Sequence, residues 1–175
     1  MKSGKGWRVC LSFFFLLFLM VIVTGCSLKL GVPQWSGSGF VRKEFLEYKS
    51  VAVLPFEGDD SDEVSNAFAL SFHKKFPQIS IMDRKQVLEI FRDQALIPDR
   101  LDGEARLRIG NTLGVQALIT GNIYYPSISR WFLQIMILDT ETGKVMGRSL
   151  VEIDFMGAMG KEEAARFAVE KLTLW

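Results

Sequence analysis

SVAVLPFEGDDSDEVSNAFALSFHKKFPQISIMDR, residues 50–84, decides the fold. Ser50 to Phe56 is a β-branched and apolar run that closes on a proline, the pattern of a buried strand. The acidic turn Glu57-Gly58-Asp59-Asp60-Ser61-Asp62-Glu63 follows. Asp60 is placed as an N-cap with Glu63 three residues on, a capping-box-like start with acids at the positive helix end. Val64, Phe68, Phe72 and Phe76 then recur four apart, the apolar stripe of a helix that runs to about Lys75 and stops at Pro77. Ile79 to Met82 is a second short strand. A strand–helix–strand step implies a parallel, right-handed crossover.

Toward the C-terminus, Asp83 stands where an N-cap belongs, and Val87, Leu88, Phe91 and Ala95 mark the inner stripe of a second helix. After a loop at Ile97-Pro98-Asp99, a third helix spans Asp102 to Leu113 with Gly114 as its C-cap. Three strands come next. Gln116 to Tyr124 is the first, and Arg130 to Leu138 is so apolar that it reads as a central strand covered on both faces. Asp139-Thr140-Glu141-Thr142-Gly143 is a hairpin turn whose glycine supplies positive φ. In Val145 to Phe155, Val145, Val151, Ile153 and Phe155 share one face and Arg148, Glu152 and Asp154 the other. Gly157 and Gly160 break that strand, and Lys161 to Leu174 reads as a closing helix. The expected architecture is one α/β domain over residues 50–175. Its mixed sheet has parallel strand–helix–strand units followed by an antiparallel meander, packed by helices.

Toward the N-terminus, Gly31, Pro33, Gly37 and Gly39 discourage a regular element between Ser27 and Lys49. Phe40, Val41, Phe45, Leu46 and Tyr48 are too apolar for a solvated linker. Residues 26–49 therefore read as a short tether whose second half docks on the body. The first 25 residues carry Lys2, Lys5 and Arg8, no acid, and an apolar run from Val9 to Val23, the parts of an export signal. Fifteen apolar positions are short for a spanning helix, which needs about 20. Val23-Thr24-Gly25-Cys26 resembles the lipobox of bacterial lipoproteins. That resemblance implies cleavage between Gly25 and Cys26, lipidation of Cys26, and a membrane anchor of several acyl chains, which together hold where one does not. Ser27 is not the aspartate associated with inner-membrane retention, so the expected place is the periplasmic face of the outer membrane. Cys10 leaves with the signal and Cys26 is committed to lipid, which closes disulfide and thiol chemistry.

The remaining 150 residues keep 18 of the 21 basic side chains against 20 acids. A near-neutral body of that size can bury a full core and argues against nucleic-acid binding, which rests on phosphate neutralisation. The sole histidine, His73, sits at a helix end beside Lys74 and Lys75, with no GxSxG motif to serve. The acidic stretch lacks EF-hand spacing, and Gly110, Gly114 and Gly121 form no phosphate-binding motif. No catalytic residue, metal site or cofactor is expected. Surface for binding remains, and the aromatic candidates are Trp175 at the chain end, Trp131 at a strand start, and Trp35 in the tether. An edge strand open to strand addition is a further route.

VAVLPF at 51–56, IMDR at 81–84 with a helix ending RDQAL, IGNTLGVQALITGNI at 109–123 and LDTETGKV at 138–145 together resemble the CsgG/LpoB/TolB-N-terminal-like group of envelope lipoproteins. That group includes a curli-secretion channel lipoprotein, activators of peptidoglycan-synthesising penicillin-binding proteins, and flagellar outer-membrane lipoproteins. The resemblance implies a non-enzymatic accessory or assembly factor of the envelope. Its partners would be a secretion, flagellar or peptidoglycan-synthesis component, or further copies of itself. The loops near Ala95–Gly103 and Tyr125–Arg130 are too short to insert barrel strands of about 9–11 residues, so a self-sufficient pore is not expected. The alternative is a periplasmic module for a small ligand or peptidoglycan, supported by the acidic turn and the glycine-bounded loops.

Overall fold

A computed structural model describes residues 35–93, 103–128, 130–154 and 160–175. Their elements are β1 (Trp35–Val41), a 3-10 turn (Lys43–Glu47), β2 (Ser50–Val53), α1 (Glu63–Lys75), β3 (Ser80–Ile81), α2 (Arg84–Asp93), α3 (Gly103–Leu113), β4 (Ala117–Ser127), β5 (Arg130–Asp139), β6 (Val145–Asp154), α4 (Lys161–Glu170) and β7 (Thr173–Leu174). The seven strands form one mixed sheet in the order β3-β2-β4-β5-β6-β1-β7. β2 pairs in parallel with both β3 and β4, and β4, β5 and β6 form the expected antiparallel meander.

Helices α1 and α4 cover one face of this sheet. Their Phe68, Phe72, Ala164, Ala165, Ala168 and Val169 pack on Val51, Val53, Ile119, Leu133, Ile135, Ile137, Val151 and Ile153, all buried. Helices α2 and α3 cover part of the other face, where Val87, Phe91, Ile109 and Leu113 pack on Ala52, Leu54 and Leu118. Asp83 caps α2 as its spacing predicts, accepting the Lys85 N–H at 2.7 Å. Gly114 (φ +66) ends α3 and Gly143 (φ +70) turns the β5–β6 hairpin, both in the left-handed region.

Several expectations are corrected. The stretch given no regular element contains β1, which pairs antiparallel with β6 from Trp35↔Ile153 to Val41↔Gly147. Its glycines are required by packing. A Cβ on Gly39 would lie 2.8 Å from the Arg148 carbonyl oxygen and 2.9 Å from that of Lys171, so the end of α4 sits directly on the strand. The closing helix stops at Glu170, and Thr173–Leu174 instead extend the sheet as β7, parallel to β1. Strand β5 is not covered on both faces. Trp131, Leu133, Ile135 and Ile137 are buried while Phe132, Gln134, Met136 and Leu138 are half-buried, because α2 and α3 reach only as far as β4. A register shift pairs Leu138 with Val145 but Ile137 with Gly147, which turns Met146 inward and leaves Val145 exposed. Leu88 of the predicted α2 stripe is likewise exposed, while Ala95 and Phe155 lie outside the described residues.

The 3-10 turn is tied to the β5–β6 hairpin by one hydrogen bond from the Tyr48 hydroxyl to Asp139 Oδ2. Asp139 Oδ1 also accepts from the Thr142 N–H at 2.6 Å and the Thr142 hydroxyl at 2.5 Å. Burial pushes the Tyr48 phenol up, and the Asp139 carboxylate it donates to pushes it further. Burial alone would raise Asp139, but the bonds from Thr142 and Tyr48 outweigh it and hold the carboxyl below its usual value. The Tyr48 contribution is therefore complete below pH ~10 and erodes as pH rises above it, while that of Asp139 is complete above pH ~4 and is lost as pH falls through its depressed folded value. Tyr48→Phe is expected to cost about 1–2 kcal/mol at pH 7 and to flatten the alkaline loss of stability, both read from urea midpoints across pH. An unchanged alkaline limb would show that the phenol is not held neutral by the fold.

Candidate functional site

The acidic turn is engaged internally. Asp60 does not cap α1. Instead Asp59, buried, accepts the Ser65 N–H at 2.9 Å through Oδ2 and satisfies one of the free amides of the first turn. Asp62 adopts a left-handed conformation (φ 55) immediately before the helix and pairs with Arg84. Arg84 also donates to the Val53 carbonyl at 3.0 Å and the Ser65 hydroxyl at 3.2 Å. Glu57 accepts from Asn122 at 2.8 Å. These carboxylates anchor a loop, and among the described residues no three His, Cys, Asp or Glu side chains come together as a metal site. His73 is exposed in the last turn of α1.

Two of the three aromatic candidates part company. Trp131 is 7% exposed and belongs to the core between the sheet and its helices, so it presents little surface. Trp175 is 71% exposed. Its backbone N–H donates to the Val41 carbonyl at 3.0 Å, its ring meets Phe40 edge-on at 5.6 Å, and the Arg42 guanidinium lies 5.3 Å over it. With exposed Leu174 and Val145 this makes a firmly seated aromatic patch beside the sheet edge. Trp35 opens β1, opposite Ile153. Gly25 and Cys26 lie outside the described residues.

The sequence reading missed an open sheet face. Ser36 and Ser38 of β1, Arg148, Leu150 and Glu152 of β6, and Phe132, Gln134 and Met136 of β5 point to the side opposite α1 and α4 and are exposed or half-buried. Among the described residues no helix covers them. A shallow groove of about 220 Å³ runs between Ser36, Ser38, Phe132, Leu150 and Glu152. A second groove, about 800 Å³, follows the outer seam of α1 and α4 past exposed Leu70. There Lys75 donates to the Val169 and Glu170 carbonyls at 2.8 and 3.0 Å and closes the end of α4; burial lowers its pKa, against the opposing pull of Glu170. The signal that could have revealed the open face was the alternation Ser-Gly-Ser-Gly in β1, polar on one side and empty on the other. Broad shallow surfaces with aromatic anchors suit contact with macromolecules better than enclosure of a small substrate.

No family model matches the chain, and no curated protein sequence matches it. Solved structures do. The PelC dodecamer from Paraburkholderia phytofirmans is similar at a TM-score of 0.50 and 10% identity, over 79% of this chain and 94% of that one. The LpoB C-terminal domain from Salmonella enterica is similar at a TM-score of 0.50 and 11% identity, over 61% of this chain and 82% of that one. At such identities the likeness is one of fold: the chain has an LpoB-like fold, shared with PelC.

Proposed function

We propose that this chain is an outer-membrane-anchored lipoprotein facing the periplasm. It acts without catalysis, by protein–protein contact, as an accessory or assembly factor in envelope biogenesis or secretion. One juxtaposition carries the reading: eight residues separate a lipobox-like Val23-Thr24-Gly25-Cys26 from β1 of an LpoB-like fold. The acyl chains on Cys26 hold the body at the membrane, and the open sheet face and the Trp175 patch offer the contacts. Partners are a secretion, flagellar or peptidoglycan-synthesis component, or further copies of the chain, since the PelC relative in fold is a dodecamer. Among the described residues no helix is long and apolar enough to cross a membrane.

Cys26→Ser is the decisive variant. The exported wild type is expected to float with membranes and to yield an acylated N-terminal peptide, whereas Cys26→Ser is recovered almost wholly in the periplasmic fraction. A single acyl chain gives an association constant of only about 10⁴ M⁻¹, so losing every chain leaves little affinity. Cross-linking of the lipidated protein in cells is then expected to give either a discrete ladder of its own multiples or a defined envelope component. Continued membrane residence of exported Cys26→Ser would sink the anchoring reading, and a protein that stays monomeric and uncross-linked would sink the assembly reading.

A further inference from the structure

The two poles of the sheet differ in chemistry. At one, the β5–β6 turn carries Asp139, Glu141 and Lys144. At the other, the β4–β5 hairpin carries no charged side chain from Gly121 to Ser129. Its exposed side chains are large: Tyr124 is 39% exposed, Tyr125 59% and Ile128 99%. A wholly exposed isoleucine at the apex of a projecting hairpin, flanked by a tyrosine on each face, is an unfavourable surface to leave in water. Tyr124 stacks on Phe132 at 5.1 Å and Tyr125 approaches Trp131 at 6.3 Å, so both rings are backed by strand residues.

The register locates this tip relative to the start of β1. Trp35 pairs with Ile153, and Ile153 pairs with Trp131, so β1 begins in the row next to the hairpin tip and runs away from it. Only residues 27–34 separate Cys26 from Trp35. Nine residue steps span at most on the order of 30 Å. A lipid on Cys26 therefore keeps the start of β1, and with it the pole of the uncharged hairpin tip, within that reach of the bilayer, with the Glu141 pole a strand length farther along the sheet.

We infer that the tip of the β4–β5 hairpin, Tyr124, Tyr125 and Ile128, rests in the headgroup region of the bilayer that holds the anchor. The inference rests on the lipid-anchor reading above. Tyrosines are the side chains suited to that boundary, apolar in body and polar at the tip, with Ile128 reaching below them. Arg130 stands at the base of the tip, 3.4 Å from Glu152, in the row it shares with Asp154. The acidic turn of residues 57–63 faces the same pole but is held back. Glu57 bridges to Asn122, and β4 continues from there to Ser127, roughly 15 Å at strand spacing. That exceeds the screening length of about 8 Å at physiological salt, so repulsion between exposed Asp60 and Glu63 and an anionic leaflet is largely damped. The hairpin acts as a spacer and a foot, fixing which way the sheet faces once the lipid has inserted.

The test uses the processed, lipidated protein in vesicles of phosphatidylethanolamine and phosphatidylglycerol. Cys10 leaves with the signal and Cys26 is acylated, so a thiol introduced by Ile128→Cys is free to take an environment-sensitive fluorophore. Glu141→Cys at the opposite pole is the control, and Tyr125→Cys is a second site at the tip. The expected result is a blue-shifted emission at 128 and 125, quenching by brominated lipid, and several-fold slower reduction by external dithionite than at 141. If the protein floats with the vesicles while labels at 128 and 125 stay as water-exposed as at 141, the inference is overturned and the anchor stands. If the protein does not float and its N-terminal peptide carries no acyl mass, the anchor reading falls and takes the inference with it.

Discussion

Phe72→Ala is expected to lower stability by about 3–5 kcal/mol, the range for truncating a fully buried phenylalanine. Phe72 is wholly inaccessible on the inner face of α1, at the junction of three other rings: Phe76 at 4.8 Å, Phe68 at 5.8 Å and Phe45 at 6.1 Å. Phe45 comes from the 3-10 turn after β1, so the cluster joins α1 to the strand that completes the far side of the sheet. Phe68 lies on the same helix and Phe76 is its C-cap, so neither can close the gap without displacing the helix; a cavity remains and its cost adds to the lost transfer energy. Domains of this size are stable by about 5–15 kcal/mol, and the variant would approach unfolding at ordinary temperature. The check is urea unfolding in the water-soluble Cys26→Ser background, with a lower midpoint at unchanged slope. Leu70→Ala, two positions away on the exposed side of α1, is expected to stay within about 0.5 kcal/mol. A cost below 1 kcal/mol for Phe72→Ala would mean that the ring cluster does not hold α1 to the sheet.

That cluster was legible in the sequence because a four-residue apolar repeat has one physical reading: Val64, Phe68, Phe72 and Phe76 can all be buried only on a helix. Strand β1 was not legible, since its core-facing positions at 37 and 39 are glycines. Only Val41 at the strand's end marks the inner face with a buried apolar side chain, and the reason is tertiary: the end of α4 occupies the space a side chain at 37 or 39 would need. Strand β7 was hidden by the apolar spacing of α4, which Leu172 and Leu174 continue past the point where the helix ends. In β5 the error ran the other way. Phe132, Met136 and Leu138 are apolar on a face the helices leave half-open, so composition alone suggested a cover that is not there. Such excess apolarity at an uncovered position is the mark of a contact surface, and a single sequence cannot separate it from core. The proposed lipid site is read from a local motif, Val23-Thr24-Gly25-Cys26, and lies outside the described residues. The hairpin foot was not, because its meaning depends on the register that brings the start of β1 beside the tip of β4 and β5.

Arg84→Met is expected to cost about 2 kcal/mol, less than the 3–5 kcal/mol of a fully buried pair because the Arg84 and Asp62 side chains remain 23% and 35% exposed and water screens them. The arginine is the first residue of α2, yet its guanidinium reaches the end of β2 through the Val53 carbonyl, the loop through Asp62 and the first turn of α1 through the Ser65 hydroxyl. One side chain thus ties together the ends of three elements of the unit that defines the fold. Asp62 is the single described non-glycine residue with positive φ, a conformation that costs on the order of 1 kcal/mol and persists only when its surroundings determine it. The ion pair supplies that determination, which is why a planar fork is needed and Arg84→Lys should recover less than half of the loss. A double-mutant cycle separates this from a general effect of the substitution. Arg84→Met combined with Asp62→Asn is expected to show about 1–2 kcal/mol of coupling, whereas Arg84→Met with the distant Tyr48→Phe should be additive within about 0.5 kcal/mol. Zero coupling between positions 84 and 62 would show that the left-handed turn before α1 stands on its own, and that Arg84 contributes only through its bonds to Val53 and Ser65.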